Sequence, residues 1–225
     1  MDKSVYIIIP CKGESLNLKT IQQALPHSFH KIFVVPEGDP MNNSTPESNS
    51  EIILEKAPNY GSALRTGIAK ALELSNSNDL IVTMDGDLSH DPSFINELIC
   101  SLENNNADLV IASRFFYSYN FKTFRLALSS LFSILVKKIL DLKQNDITSG
   151  FRAYRKSFLA KLSPQSEDFD IVLELLFLAN ESSGKIIEIP FSPQKRLYGT
   201  SKFRPFKFLL SYYKTVKRLR SKLKH

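Results

Sequence analysis

The chain has 225 residues, 43% of them apolar, and a formal charge of +6, enough to bury one sizeable core and too few for two comfortable domains. The charge is uneven: Phe203 to His225 holds eight basic residues and no acidic one, leaving 21 basic against 23 acidic elsewhere. With neither an RNA-binding signature nor a helix-turn-helix pattern to go with that tail, no nucleic acid is expected as a partner.

Along the chain, Val5–Ile9, Lys31–Val35, Ile52–Leu54, Leu80–Met84 and Leu109–Ala112 are short β-rich runs with little polar alternation. That is the pattern of parallel strands buried on both faces. Between them, Leu16 to Leu25, Gly61 to Leu74 and Pro92 to Leu102 have helical period, the last with Asp91 or His90 placed to begin it. The alternation reads as a doubly wound α/β sheet. Met41 to Ser50 is a Pro/Ser/Asn-rich surface loop. The second half shifts to a helix from about Lys122 to Leu140, an irregular stretch from Asp146 to Tyr154, a helix near Asp168 to Asn180, a strand at Ile186–Ile189 and a basic tail helix.

Nothing at the N-terminus reads as an export signal, and Cys11 and Cys100 lack zinc or disulfide spacing, so a reducing cytosol is expected. The longest charge-free apolar run, Leu126 to Val136, falls short of the roughly 20 residues of a membrane span.

In open α/β sheets ligands sit beyond the carboxyl ends of the strands. Asp85-Gly86-Asp87 follows the fourth strand there. Two carboxylates around a glycine can hold a divalent ion and leave positions open for phosphate oxygens. The alternative is a polar turn that caps the next helix.

The surrounding segment, Met84-Asp85-Gly86-Asp87-Leu88-Ser89-His90-Asp91-Pro92, resembles that of the family-2 glycosyltransferases of GT-A fold, the dolichol-phosphate mannosyltransferases and other polyprenyl-phosphate glycosyltransferases in particular. Ile9-Pro10-Cys11-Lys12-Gly13-Glu14, Tyr60 to Gly67, Ala112-Ser113-Arg114-Phe115, Asp146 to Arg152 and Arg196 with Gly199, Ser201 and Lys202 follow in that family's order. The resemblance implies a GT-A, Rossmann-like, mostly parallel sheet flanked by helices. It places Pro10, Glu14, Glu37 and Gly61 at the nucleotide, Asp85 and Asp87 at the donor diphosphate with Mg²⁺ or Mn²⁺, and Arg196 and Lys202 on the diphosphate. It places Arg114, Arg125 and Ser129 on an acceptor lipid phosphate. Arg125 and Ser129 are spaced i, i+4 and share one helix face. A phosphate monoester is already an anionic nucleophile near neutral pH, so no general base is demanded.

In the tail, Phe206, Leu209, Leu210, Tyr213, Val216 and Leu219 are expected on one helical face with lysines and arginines on the other, a form suited to an anionic membrane surface. The chain departs from the family pattern at Val35-Pro36-Glu37-Gly38-Asp39, Cys11-Lys12-Gly13 and Ser89, which leaves the donor least defined.

The reading is a GT-A domain at 1–202 and a basic amphipathic helix at 203–225. The expected activity is inverting transfer of mannose or glucose from a nucleotide-sugar, GDP-mannose or UDP-glucose, to polyprenyl phosphate at the cytoplasmic face of a membrane. Two alternatives stay open: transfer to a saccharide hydroxyl, with Asp146 as base, or a non-catalytic nucleotide-sugar-binding scaffold at the membrane surface.

Overall fold

The computed structural model describes residues 3–12, 15–39, 48–56, 59–114, 133–194 and 205–223. A seven-stranded sheet in the order β3-β2-β1-β4-β6-β5-β7 organises them. Its strands are β1 (Val5–Pro10), β2 (His30–Pro36), β3 (Ser50–Glu55), β4 (Leu80–Thr83), β5 (Leu109–Ser113), β6 (Arg152–Arg155) and β7 (Ile186–Pro190). The helices are α1 (Ser15–Ala24), α2 (Tyr60–Leu74), α3 (Ile95–Asn104), α4 (residues 133–140), α5 (Lys156–Leu159), α6 (Ile171–Glu181) and α7 (Pro205–Lys222).

β1 shows why the runs lack alternation: both of its faces are covered. Tyr6 and Ile8 pack with Ala63, Leu64, Ile68 and Ala71 of α2 and with buried residues of α4, α6 and α7. Val5, Ile7 and Ile9 face the opposite core, built with Ile21 of α1 and Ile95, Leu98 and Leu102 of α3. Gly67 lets α2 lie close to the sheet, because a Cβ there would collide with the Ile8 side chain.

The parallel expectation holds for β1 against β2 and β4, for β2 against β3, and for β5 against β7. It fails at β6, which runs antiparallel to both β4 and β5 and lies in the stretch expected to be irregular. Asp91, rather than His90, begins the helical segment before α3, through its carboxylate accepting from the Ser93 amide at 2.9 Å. Residues 133–140 are the described part of the expected Lys122-to-Leu140 helix.

The tail is a helix, but its faces differ from the expectation. Tyr212, Thr215 and Leu219 are buried, whereas Leu209, Leu210 and Tyr213 are exposed. Arg218 donates to Glu174 at 2.6 Å, and Thr215 Oγ1 donates to Asp170 at 2.7 Å. Polar side chains thus help seat the inner face. The exposed apolar residues are followed along the helix by exposed Lys214, Lys217 and Arg220, so apolar and basic groups succeed one another on the outer side. Among the described residues no helix is long and apolar enough to cross a membrane.

Candidate active site

The carboxyl ends of β1, β2, β4 and β5 bring most of the described candidates to one edge of the sheet. Pro10 ends β1, and the following Cys11 donates its amide to Val34 O at 2.9 Å. Cys11 Sγ packs beside Gly86, where a Cβ would lie 2.6 Å from the sulfur. Asn17 Nδ2 donates to Gly86 O at 3.0 Å. The first strand end and α1 therefore clasp the loop that carries Asp85 and Asp87.

Asp85 is held from two sides. Tyr60 Oη donates to its Oδ1 at 2.9 Å, and its backbone N–H donates to His90 Nδ1 at 3.0 Å. The His90 ring is buried and stacks on Phe151 with centroids 4.7 Å apart. Burial lowers its pKa against the pull of the Asp85 carboxylate, which keeps Nδ1 available as an acceptor. Asp87 is also buried; its Oδ1 accepts from the Ser89 amide at 3.0 Å and hydroxyl at 2.6 Å. Leu88 between them has φ 61, a left-handed conformation costly for a bulky residue and characteristic of functional loops.

At the end of β5, Arg114 forks onto Asp146, Nε to Oδ2 and Nη2 to Oδ1, each 2.9 Å. Asp146 also accepts from the amides of Arg114, Thr148 and Ser149 at 3.0, 3.1 and 2.9 Å. Burial would raise its pKa, but Arg114 and these amides outweigh that and bring it to about 2. Asp146, held by Arg114 and three amides, anchors its loop, and a carboxylate held this far below the usual range is a weak proton acceptor. The Glu188 carboxylate secures the same loop by accepting from the amides of Asn145 and Asp146, both at 2.8 Å.

Glu37 stands exposed in the turn after β2, next to Gly38 at φ 83. Gly61 sits close to the site for a packing reason. Its amide donates to Glu167 O at 2.8 Å, and a Cβ would lie 2.5 Å from the Glu167 carbonyl carbon. Its N–H is therefore bonded within the protein. Glu14, Arg125, Ser129, Arg196 and Lys202 lie outside the described residues.

Sequence reasoning overlooked Tyr60 and the amide-accepting role of His90, since neither has a signal in local spacing. It also overlooked Arg152, almost wholly buried, whose Nη1 donates to Val172 O at 2.8 Å while Nε and Nη2 have no hydrogen-bond partner among the described residues. The Asp146-Ile147-Thr148-Ser149 run did carry a signal, because an aspartate commonly accepts from amides two and three residues on.

A mostly parallel sheet with paired carboxylates beyond its β4 end, and one antiparallel strand beside it, is the architecture of a GT-A-type glycosyltransferase. The family model for glycosyl transferase family 2 matches residues 6–163. The chain belongs to that family, and its class is that of the nucleotide-sugar-dependent glycosyltransferases.

Among curated relatives, it is 30% identical over 236 residues to a dolichol-phosphate mannosyltransferase of Pyrococcus furiosus, covering 95% of this chain and 64% of that one. It is 26% identical to the polyprenol monophosphomannose synthase of Mycolicibacterium smegmatis, covering 87% and 79%. It is 28% identical to a UDP-N-acetylglucosamine–dolichyl-phosphate N-acetylglucosaminyltransferase of Methanococcus voltae, covering 84% and 85%. The chain thus spans just under two thirds of the Pyrococcus relative's length. Among solved structures it resembles glucosyl-3-phosphoglycerate synthase of Mycobacterium tuberculosis, in complex with Mn²⁺, UDP and phosphoglyceric acid. The TM-score is 0.68 at 16% identity, with 96% of this chain and 77% of that one covered, a likeness of fold.

Proposed function

We propose that this protein transfers a sugar, mannose or glucose, from a nucleotide-sugar to a polyprenyl phosphate, with inversion and with a divalent metal, at the cytoplasmic face of a membrane. The single observation that carries the choice of acceptor is the saturated Asp146. A hydroxyl acceptor requires a base, and Asp146, the candidate for that work, is locked to Arg114 with its pKa at about 2. A phosphate acceptor requires none, and the three curated relatives named above all carry polyprenol or dolichol phosphate chemistry in their names.

In the step proposed, an acceptor phosphate oxygen forms a bond to the anomeric carbon on the face opposite the donor. The bond from that carbon to the nucleoside diphosphate breaks, and the diphosphate leaves with the electron pair. Arg125, Ser129 and Arg114 are the groups proposed for the acceptor phosphate, and Arg196 and Lys202 those for the departing diphosphate. Cations there act selectively, because negative charge grows on the leaving group in the transition state.

The residues fit a hard divalent cation. Asp85 and Asp87 offer carboxylate oxygens on either side of Gly86, and their loop is held by Cys11, Asn17, Tyr60, Ser89 and His90. Among the described residues no cluster of three or more His, Cys, Asp or Glu could hold a metal. Two carboxylates leave positions that phosphate oxygens and water can fill, the mode that suits Mg²⁺. When bound, Mg²⁺ or Mn²⁺ supplies charge neutralisation for the diphosphate.

Association with an anionic membrane surface is supported by the outer side of α7, where exposed Leu209, Leu210 and Tyr213 precede Lys214, Lys217 and Arg220. The test is a donor panel that includes GDP-mannose and UDP-glucose, incubated with purified protein, polyprenyl phosphate and Mg²⁺ or Mn²⁺. A lipid-linked monosaccharide is expected from one donor. Metal-dependent donor binding without turnover on any acceptor would instead establish the scaffold reading.

A further inference from the structure

We propose that Tyr60 is a positioning residue for Asp85, fixing the orientation of its carboxylate for metal-dependent binding of the donor diphosphate. The inference rests on the metal role given to Asp85 above and assigns Tyr60, named there only among the residues that hold the loop, a specific task.

Two contacts of Tyr60 and the packing around them define its place. Its hydroxyl donates to Asp85 Oδ1 at 2.9 Å, which ties one oxygen of the carboxylate to the start of α2. Its ring stacks on Phe169, centroids 4.5 Å apart and planes 16° from parallel. The next two amides, of Gly61 and Ser62, both donate to Glu167 O, at 2.8 and 3.2 Å, so the helix start and the stacking partner are fixed to one segment. Gly150 makes room for the hydroxyl, because a Cβ there would lie 2.7 Å from Tyr60 Oη.

Phe169 is itself anchored. Its carbonyl accepts from Tyr212 Oη of α7 at 3.2 Å, and the adjacent Asp170 accepts from the hydroxyls of Ser211 and Thr215. Tyr60 is half-buried and Phe169 partly exposed, yet a stacked and hydrogen-bonded support of this kind is what holds a ligating carboxylate in one orientation. Losing such a support characteristically costs about 10–100-fold in metal affinity or activity. The opposite side of Asp85 is fixed through its backbone to His90, whose Nε2 also lies 3.8 Å from Oδ2, outside hydrogen-bond distance, so the Tyr60 hydroxyl bond is the closer of the two contacts that orient the carboxylate.

The experiment is calorimetric titration of GDP and UDP into the full chain over a Mn²⁺ series, with metal-free titrations alongside. Tyr60→Phe removes the hydroxyl and keeps the stack. It is expected to raise the Mn²⁺ concentration needed for half-maximal diphosphate binding by about tenfold, with metal-free binding and the melting temperature unchanged. Gly150→Ala, which crowds the hydroxyl from the other side, is expected to shift the Mn²⁺ requirement in the same direction. An unchanged Mn²⁺ requirement in Tyr60→Phe, or an equal loss of metal-free binding, overturns the inference. If Asp85→Asn and Asp87→Asn both leave the Mn²⁺ requirement unchanged, the metal reading itself fails, and the inference with it. Loss in those two variants beside a silent Tyr60→Phe overturns the inference alone.

Discussion

Arg114 and Asp146 face each other through two parallel 2.9 Å contacts, with the carboxylate fully buried and the guanidinium reaching the surface. The pair joins the end of β5 to the loop that precedes β6, at the same sheet edge as Asp85. Asp146 has its pKa brought from an ordinary 3.8 to about 2, because Arg114 outweighs burial. A depressed carboxylate stabilises the fold above its unfolded pKa and loses that contribution as pH falls through the folded one. The contribution is on the order of 2 kcal/mol at neutral pH. Urea midpoints of wild type and Asp146→Asn should therefore differ most at pH 7 and converge between pH about 4 and about 2. A gap that stays constant over that range would contradict this account.

Arg218→Met should loosen α7. Glu174 is completely buried and accepts from Arg218 at 2.6 Å; burial raises its pKa, and Arg218 with Ser166 and Gln165 lowers it further than burial raises it. Removing the cation leaves the carboxylate with the Ser166 and Gln165 amides and the Ser166 side chain, a loss of about 1.5–3 kcal/mol for a hydrogen bond to a charged group. Limited proteolysis should then cleave α7 near Lys214 and Lys217 faster than in wild type, with the melting temperature lowered. Equal cleavage rates would show that the helix is held by its apolar contacts instead.

The parts of the fold that were legible in sequence are those that local pattern encodes. β1, β2, β4 and β5 are largely apolar because both faces are covered, and the Asp85-Gly86-Asp87 loop follows closely on the end of β4. β6 was not legible: Arg-Ala-Tyr-Arg has no apolar run, and it is a strand because β4 and β5 supply hydrogen bonds on both sides. The α7 face was misjudged for a related reason. Periodicity assigns Thr215 outward, but Asp170 and Ser166 lie inside to bond it. Tyr60 meets Asp85 across 25 residues, a proximity set by how α2 packs on the sheet.

The outer side of α7 predicts a binding pattern on vesicles. Leu209, Leu210 and Tyr213 are 48%, 48% and 65% exposed, and the basic residues beyond them act over about 8 Å at physiological ionic strength. Sedimentation with anionic phospholipid vesicles should retain the protein at low salt and release part of it as salt rises. The combined Leu209→Ser, Leu210→Ser and Tyr213→Ser variant should lose the salt-resistant fraction. Equal retention on neutral and anionic vesicles would remove the electrostatic part of the account.

His90 gives the last prediction. Its ring fills the space between Phe151, stacked at 4.7 Å, and Phe191, edge-on at 6.0 Å, while Nδ1 accepts the Asp85 amide. His90→Phe preserves a planar ring in that aromatic group and removes the Nδ1 acceptor together with Nε2, which lies 3.8 Å from Asp85 Oδ2. The Asp85 N–H then has no protein partner in its place, a cost of about 1–3 kcal/mol if water does not reach it. The backbone that carries the carboxylate also loses the contact fixing its direction. The urea midpoint should fall with an unchanged slope, since packing is retained, and sugar transfer should fall more than donor affinity. A variant with the wild-type midpoint and full transfer would mean that the ring serves Phe151 and Phe191 alone, and that Asp85 is placed by its side-chain contacts without help from its backbone.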